Sequence, residues 1–350
     1  MAKVDEVLVG ERDQALVEDG QPAHARVEHP HRPRIHQAIV RRPPVGDPAL
    51  PLLGPALYAR GVSAVRIGIC SFADEGLLKR WYPPSVRTPA QRLAYYAQRF
   101  DVVEVDSPFY RLPSPETARK WAERTPPGFV FHVKASAEMT GHKEGDRELA
   151  FRAFREALAP LEQGGKLRGV LLQYHPRVVK SRQAMTELAR AGELLRPLVP
   201  LVEFRHRSWM EEEERQDTLS FLERHGLAYV SVDAPRTRAA NVLPPVAAAT
   251  HPVAYVRFHG RNWRTWNIRG ARTAAERFDW MYSEEELAEW VEPLRALAAQ
   301  AEEVYALFNN NRYDYAPRSA ALLRGLLDRA GVPATGGVEP EGQVRLQFQA

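Results

Sequence analysis

Val102-Val103-Glu104-Val105-Asp106-Ser107-Pro108-Phe109-Tyr110-Arg111 reads as a short buried strand that ends in acid and then turns into two aromatics and an arginine. Branched residues at 102, 103 and 105 favour an extended chain, and Pro108 ends it. Glu104 lies inside the apolar run and Asp106 at its mouth. A carboxylate in a buried strand is costly unless it is paired, hydrogen-bonded or metal-bound. Seven further runs follow the same plan. With this one they occupy 65–70, 102–106, 129–134, 169–173, 200–204, 228–232, 253–258 and 304–308. Their starts average about 34 residues apart, the length of one strand–helix unit of a barrel.

Helical signals fill the intervals. Thr88-Pro89-Ala90-Gln91 is a capping box with proline at the first helical position, and Leu93, Tyr96, Ala97 and Phe100 then line one face. Ser114-Pro115 opens a helix through Trp121. Further helices are expected over 149–161, 184–195 and 219–224. Ser283-Glu284-Glu285-Glu286 is a second capping box, followed by an apolar face of Leu287, Trp290, Val291, Leu294 and Leu297. A last helix over 318–330 ends at Gly331. The Pro/Ala-rich interval 236–250 is poorly helical, so the sixth helix is expected to be short or missing. Alternating strands and helices predict an α/β fold, a TIM-like (β/α)8 barrel over 62–331. An open doubly wound sheet fits less well, because no Gly-rich phosphate loop follows the first strand.

The ends of the chain differ in texture. Residues 1–61 carry His24, His29, His31 and His36 among prolines, arginines and acids without any period, and are expected to be a disordered or mis-started extension. The Gly/Pro-rich tail 332–350 is expected to be flexible. The chain has 350 residues, one cysteine, a net charge of +4 and no apolar run of membrane-spanning length. A single cysteine excludes internal disulfides, and a cytoplasmic setting is expected. The mild basicity permits phosphate contacts but lacks the dense patch of a dedicated DNA binder.

Barrel enzymes hold their sites at the carboxyl ends of the strands, and here those ends are polar throughout. Strand two offers Glu104 and Asp106, strand three His132 and Lys134, strand four Gln173, and strand five Glu203, Arg205 and His206. Strand six ends at Asp233, strand seven at Arg257, His259 and Arg261, and strand eight at Asn309, Asn310 and Asn311. Glu104, Glu203, Asp233 and His259 are the candidate catalytic groups. They are also the candidate ligands of a divalent metal, unless the acids pair with the neighbouring arginines instead. Tyr110, Arg111, Lys134, Gln173, Arg205, Arg257, Arg261, Asn309 and Asn310 are candidate contacts to a polar or anionic ligand. Phe109, Tyr110, Trp209, Trp263 and Trp266 could stack on rings. Cys70 reads as a lone buried thiol.

Several ordered motifs carry a family resemblance. They are Trp81-Tyr82-Pro83-Pro84, Val103-Glu104-Val105-Asp106, Phe109-Tyr110-Arg111, Val133-Lys134-Ala135, Val202-Glu203-Phe204-Arg205-His206, Arg257-Phe258-His259-Gly260-Arg261-Asn262 and Phe308-Asn309-Asn310. On these the chain from Val65 to Leu327 resembles the YecE-like family. That resemblance implies a TIM-like barrel with a distant likeness to endonuclease IV and xylose isomerase barrels. Three loops depart from the family pattern, at Cys70-Ser71-Phe72, Thr140-Gly141-His142 and Gln173-Tyr174-His175-Pro176. The reading that follows is a cytoplasmic enzyme binding a phosphorylated or nucleic-acid-like ligand at the rim, with phosphodiester hydrolysis as its reaction. The alternatives are a metal-dependent sugar isomerase or lyase, and a non-catalytic binding barrel.

Overall fold

A computed structural model describes residues 35–37, 62–268, 270 and 273–338. Eight parallel strands run in chain order: β1 (Val65–Ile69), β2 (Val102–Val105), β3 (Val130–Lys134), β4 (Leu167–Gln173), β5 (Val199–Glu203), β6 (Ala228–Asp233), β7 (Val253–Phe258) and β8 (Glu303–Phe308). Each pairs with its sequence neighbour, and β8 returns to pair with β1 from Val304↔Val65 to Phe308↔Ile69. The sheet is therefore a closed parallel barrel.

Side-chain parity divides the core. Val102, Leu171, Leu201, Val230, Tyr255 and Leu307 belong to one buried cluster, the barrel interior. Residues of the other parity, such as Val103, Val170, Val202 and Val256, pack with the helix layer. Among the helices, Pro89–Ala97 and Glu284–Ala288 begin with full capping boxes at Thr88 and Ser283. The single helix expected after Ser283 is in fact two, Glu284–Ala288 and Val291–Gln300. Pro293 has no N–H to give the Glu289 carbonyl, and Trp290 is drawn inward to Asp233 at 2.7 Å.

No helix fills 234–252 among the described residues, as the sequence suggested. Instead Val246–Ala247 pair in parallel with His36–Gln37. Apart from residues 35–37, the N-terminal extension and its other histidines lie outside the described residues.

The tail is not loose throughout. Val332 is buried, and Ala334–Thr335 pair with the start of β1. They do so because β1 and β2 meet only at Ile69↔Val103 and diverge below it. The Thr335 hydroxyl donates to Asp101 at 2.8 Å and fixes this extra strand beside the gap. Residues 332–338 thus belong to the barrel, and the rest of the tail lies outside the described residues. Among the described residues no helix is long and apolar enough to cross a membrane.

Candidate functional site

Glu104, Lys134, Gln173, Glu203 and Arg257 share the parity of the barrel interior and sit at the upper ends of β2, β3, β4, β5 and β7. Arg257 is fully buried between two carboxylates. Its Nη2 donates to Glu104 Oε1 at 2.6 Å, and its Nη1 donates to Glu203. The Tyr255 hydroxyl gives the second Glu104 oxygen a bond of 2.9 Å. This layer ties three strands together across the barrel.

The two carboxyls are driven in opposite directions. Burial, reinforced by Asp106, raises Glu104 to about 7 in spite of Arg257. Burial also pushes Glu203 up, but Arg205, Arg257 and His259 outweigh it and hold its carboxyl well below the usual range. Glu203 is therefore a fixed anion, whereas Glu104 exchanges its proton near neutrality. The Cys70 thiol lies against Glu104. Burial first, and then the Glu104 charge, push it far up, so Cys70 is no thiolate nucleophile.

A second tier lies above. Arg205 is bound through Nε to Glu203, and its Nη2 reaches Gln173 Oε1 at 3.2 Å and His259 Nε2 at 3.1 Å. His259 Nε2 also lies 3.3 Å from Glu203 Oε1, and its Nδ1 lies 2.9 Å from Asn309 Nδ2. Burial and Arg205 drop His259 to about 3, so this imidazole stays neutral.

Lys134 completes the tier. Burial lowers its pKa, its Nζ lies 4.5 Å from the centre of the Phe109 ring, and among the described residues no carboxylate stands within salt-bridge distance of it. Asp106, with about a quarter of its side chain exposed, stands 3.7 Å from Arg257 and is the outermost acid of the group.

Not every predicted residue converges. Asp233 has the opposite parity to Val230 and Val232 and points into the helix layer, fully buried. It accepts from Arg261, Arg236, Tyr282 and Trp290, which leaves no oxygen for catalysis. Arg261 is held in that clamp, with Glu289 at 2.9 Å. Asn310 is also turned away, donating to Trp280 O and Ser319. Tyr110 and Arg111 are exposed on the loop after β2.

The metal set fails on geometry. Glu104 and Glu203 enclose Arg257 and Asp233 lies outside the barrel. Among the described residues no three His, Cys, Asp or Glu side chains form a group fit to hold an ion. A cavity of about 350 Å³ lies at the opposite end of the barrel, lined by Arg168, Arg196, Val199, His225 and His251. It is remote from the rim cluster, whose polar side chains pack upon one another.

Residues 66–343 match the family described as "Protein of unknown function DUF72". The chain belongs to the DUF72 family. It is 31% identical over 271 residues to UPF0759 protein YunF of Bacillus subtilis, covering 75% of this chain and 95% of that relative. A crystal structure of a DUF72 family protein from Thermotoga maritima is 31% identical with a TM-score of 0.67, over 76% of this chain and 99% of that one. One from Enterococcus faecalis is 26% identical with a TM-score of 0.68, over 75% and 95%.

Within this DUF72 barrel, sequence reasoning reached eight residues that do converge: Glu104, Lys134, Gln173, Glu203, Arg205, Arg257, His259 and Asn309. It passed over His142 and His175 as site residues, which the structure brings to the same rim with ring centres 5.0 Å apart. The signal for them was their place in two of the three loops that depart from the family pattern. The signal that excludes Asp233 was parity within Ala228-Tyr229-Val230-Ser231-Val232-Asp233.

Proposed function

We propose that the rim binds a phosphate-bearing ligand and that the protein is a cytoplasmic enzyme acting on phosphate esters. Lys134 and Arg205 hold the anion, and Asp106 and Glu104 handle the proton. The observation that carries this reading is Lys134. A buried ammonium is costly, and the other cations of the cluster each face a carboxylate, as Arg257 faces Glu104 and Glu203 and Arg205 faces Glu203. Among the described residues Lys134 lies over the Phe109 ring and forms no ion pair, although Asp106 and Glu203 act on it from farther away. An anionic ligand supplies the charge that this ammonium lacks.

Proton transfer near neutral pH needs a group that titrates there, and Glu104, at about 7, has that property. Its oxygens lie beneath Asp106, the acid a ligand meets first. Glu203 keeps Arg205 in place. The metal-dependent isomerase reading loses its support, because the acids it requires are spent on arginine.

The test is calorimetric titration with inorganic phosphate and dimethyl phosphate, followed by turnover of an aryl phosphodiester. Binding should occur at the native rim and fall by roughly tenfold or more in Lys134→Met, in line with loss of a charge-assisted bond. Equal binding by Lys134→Met and the parent would remove Lys134 from the site and with it the reading.

A further inference from the structure

His142 and His175 come from the loops after β3 and β4, and both are half-buried beside the Lys134–Arg205 mouth. A chain of contacts joins them to it. The Lys134 ammonium lies over Phe109, the Phe109 ring meets His142 at 5.0 Å, and His142 meets His175 at 5.0 Å. His175 stands two residues beyond Gln173, which binds Arg205.

A hydrogen bond fixes the tautomer of His175. Its Nδ1 accepts the backbone N–H of Arg177 at 3.1 Å, so its proton is on Nε2. The Thr140 hydroxyl stands 2.9 Å from His142 Nδ1 and 3.4 Å from the Ser136 carbonyl, and it can serve either His142 tautomer. Among the described residues neither Nε2 has a hydrogen-bond partner.

An oxyanion in this mouth would be welcomed by the His175 N–H. Protonation of His142 puts a proton on both of its ring nitrogens and adds a third cationic contact. We propose that His142, paired with His175, belongs to the anion site and takes up a proton when the anion binds. This rests on the reading that Lys134 and Arg205 hold an anion.

The surroundings of His142 keep it neutral. Burial, His175, Lys134 and Arg205 together lower it to about 4. The groups that face it are Phe109 from the β2 loop, Lys134 from β3, His175 from the β4 loop and Arg205 from β5, with Thr140 and Ser136 in its own loop. Arg177 faces His175 and, with burial, lowers it too. The cations among these repel an imidazolium until an anion offsets them. The sign follows: affinity is greatest at low pH and falls as pH rises through the bound-state value, by up to about tenfold per unit.

Sulfate is the probe, because it carries no proton of its own near neutrality. Titration at about pH 6 in two buffers of different ionisation enthalpy should show uptake approaching about one proton per sulfate. His142→Gln should bind sulfate more weakly with the uptake abolished. His175→Asn should bind more weakly with the uptake retained. Uptake that persists in His142→Gln would assign the proton to Glu104 and overturn the inference, as would parent binding without uptake, and both leave the Lys134 reading intact. No sulfate binding by the parent, or undiminished binding by Lys134→Met, would bring down that reading and the inference with it.

Discussion

Glu104 shows how far a single residue can be read from its neighbours. The sequence places an acid inside an apolar strand, and physics demands a partner for it. The partners are Arg257 and Tyr255, both from β7, and no local pattern in β2 names them. What burial does to the proton is a matter of sign. Glu104 rises from 4.5 to about 7 in the folded protein, so the fold binds this proton more tightly than the unfolded chain. Its contribution to stability is complete below the unfolded value and is lost as pH rises through about 7. Removing it with Glu104→Gln should therefore help the protein more at high pH than at low. Urea unfolding at about pH 5 and about pH 8 should show the gap between parent and variant move in the variant's favour by up to about 3 kcal/mol. His259, which burial lowers to about 3, works in the other direction in acid and is common to both proteins, so it cancels in the difference. A gap that does not change with pH would mean that Glu104 does not titrate in this range.

Elements were legible where their signals are local. Both capping boxes are formed, with Thr88 accepting from Gln91 N and Ser283 from Glu286 N at 3.2 Å each. A Pro/Ala-rich stretch announced the missing sixth helix. The tail misled, because glycine and proline are common to loose chain and to tight turns alike. Its glycines separate the two cases. Gly336 has φ +73, and an added Cβ would stand 2.2 Å from the Ile67 carbonyl oxygen of β1. Gly331 has a similar φ of +68, but a Cβ there would meet nothing within 4 Å. Gly331→Ala should cost about 1 kcal/mol for its backbone alone. Gly336→Ala adds a backbone collision and should cost roughly 2–4 kcal/mol in urea unfolding. Equal costs at the two positions would show that the segment after Val332 does not press against β1.

For the molecule as a whole, eight apolar runs with a mean spacing of about one strand–helix unit were enough to specify the closed barrel, because the mean spacing is a chain-length property that survives any error at strand ends. The site was legible only in part. Strand ends could be located, but whether a side chain there faces the barrel axis or the helices depends on parity. Asp233 and Glu203 look alike in sequence, yet one clamps Arg261 outside the barrel and the other holds Arg205 and Arg257 within it. The interior cluster is a cross-brace between β2, β5 and β7, and its energetics are those of buried charge. Truncating one member strands the others, so Arg257→Met should destabilise the protein by about 3–5 kcal/mol. Glu203→Gln leaves Arg205 and Arg257 short of a carboxylate and should also be costly. The two losses should not add, since each single change already forfeits the same contact. A double-mutant cycle on Glu203→Gln and Arg257→Met, read by urea unfolding, should give a coupling of about 1–3 kcal/mol. If the two costs summed to the double variant's loss, Arg257 and Glu203 would be energetically independent. The charge that braces the barrel would then lie between Arg257 and Glu104 alone, and β5 would be held by its backbone pairing and its apolar contacts.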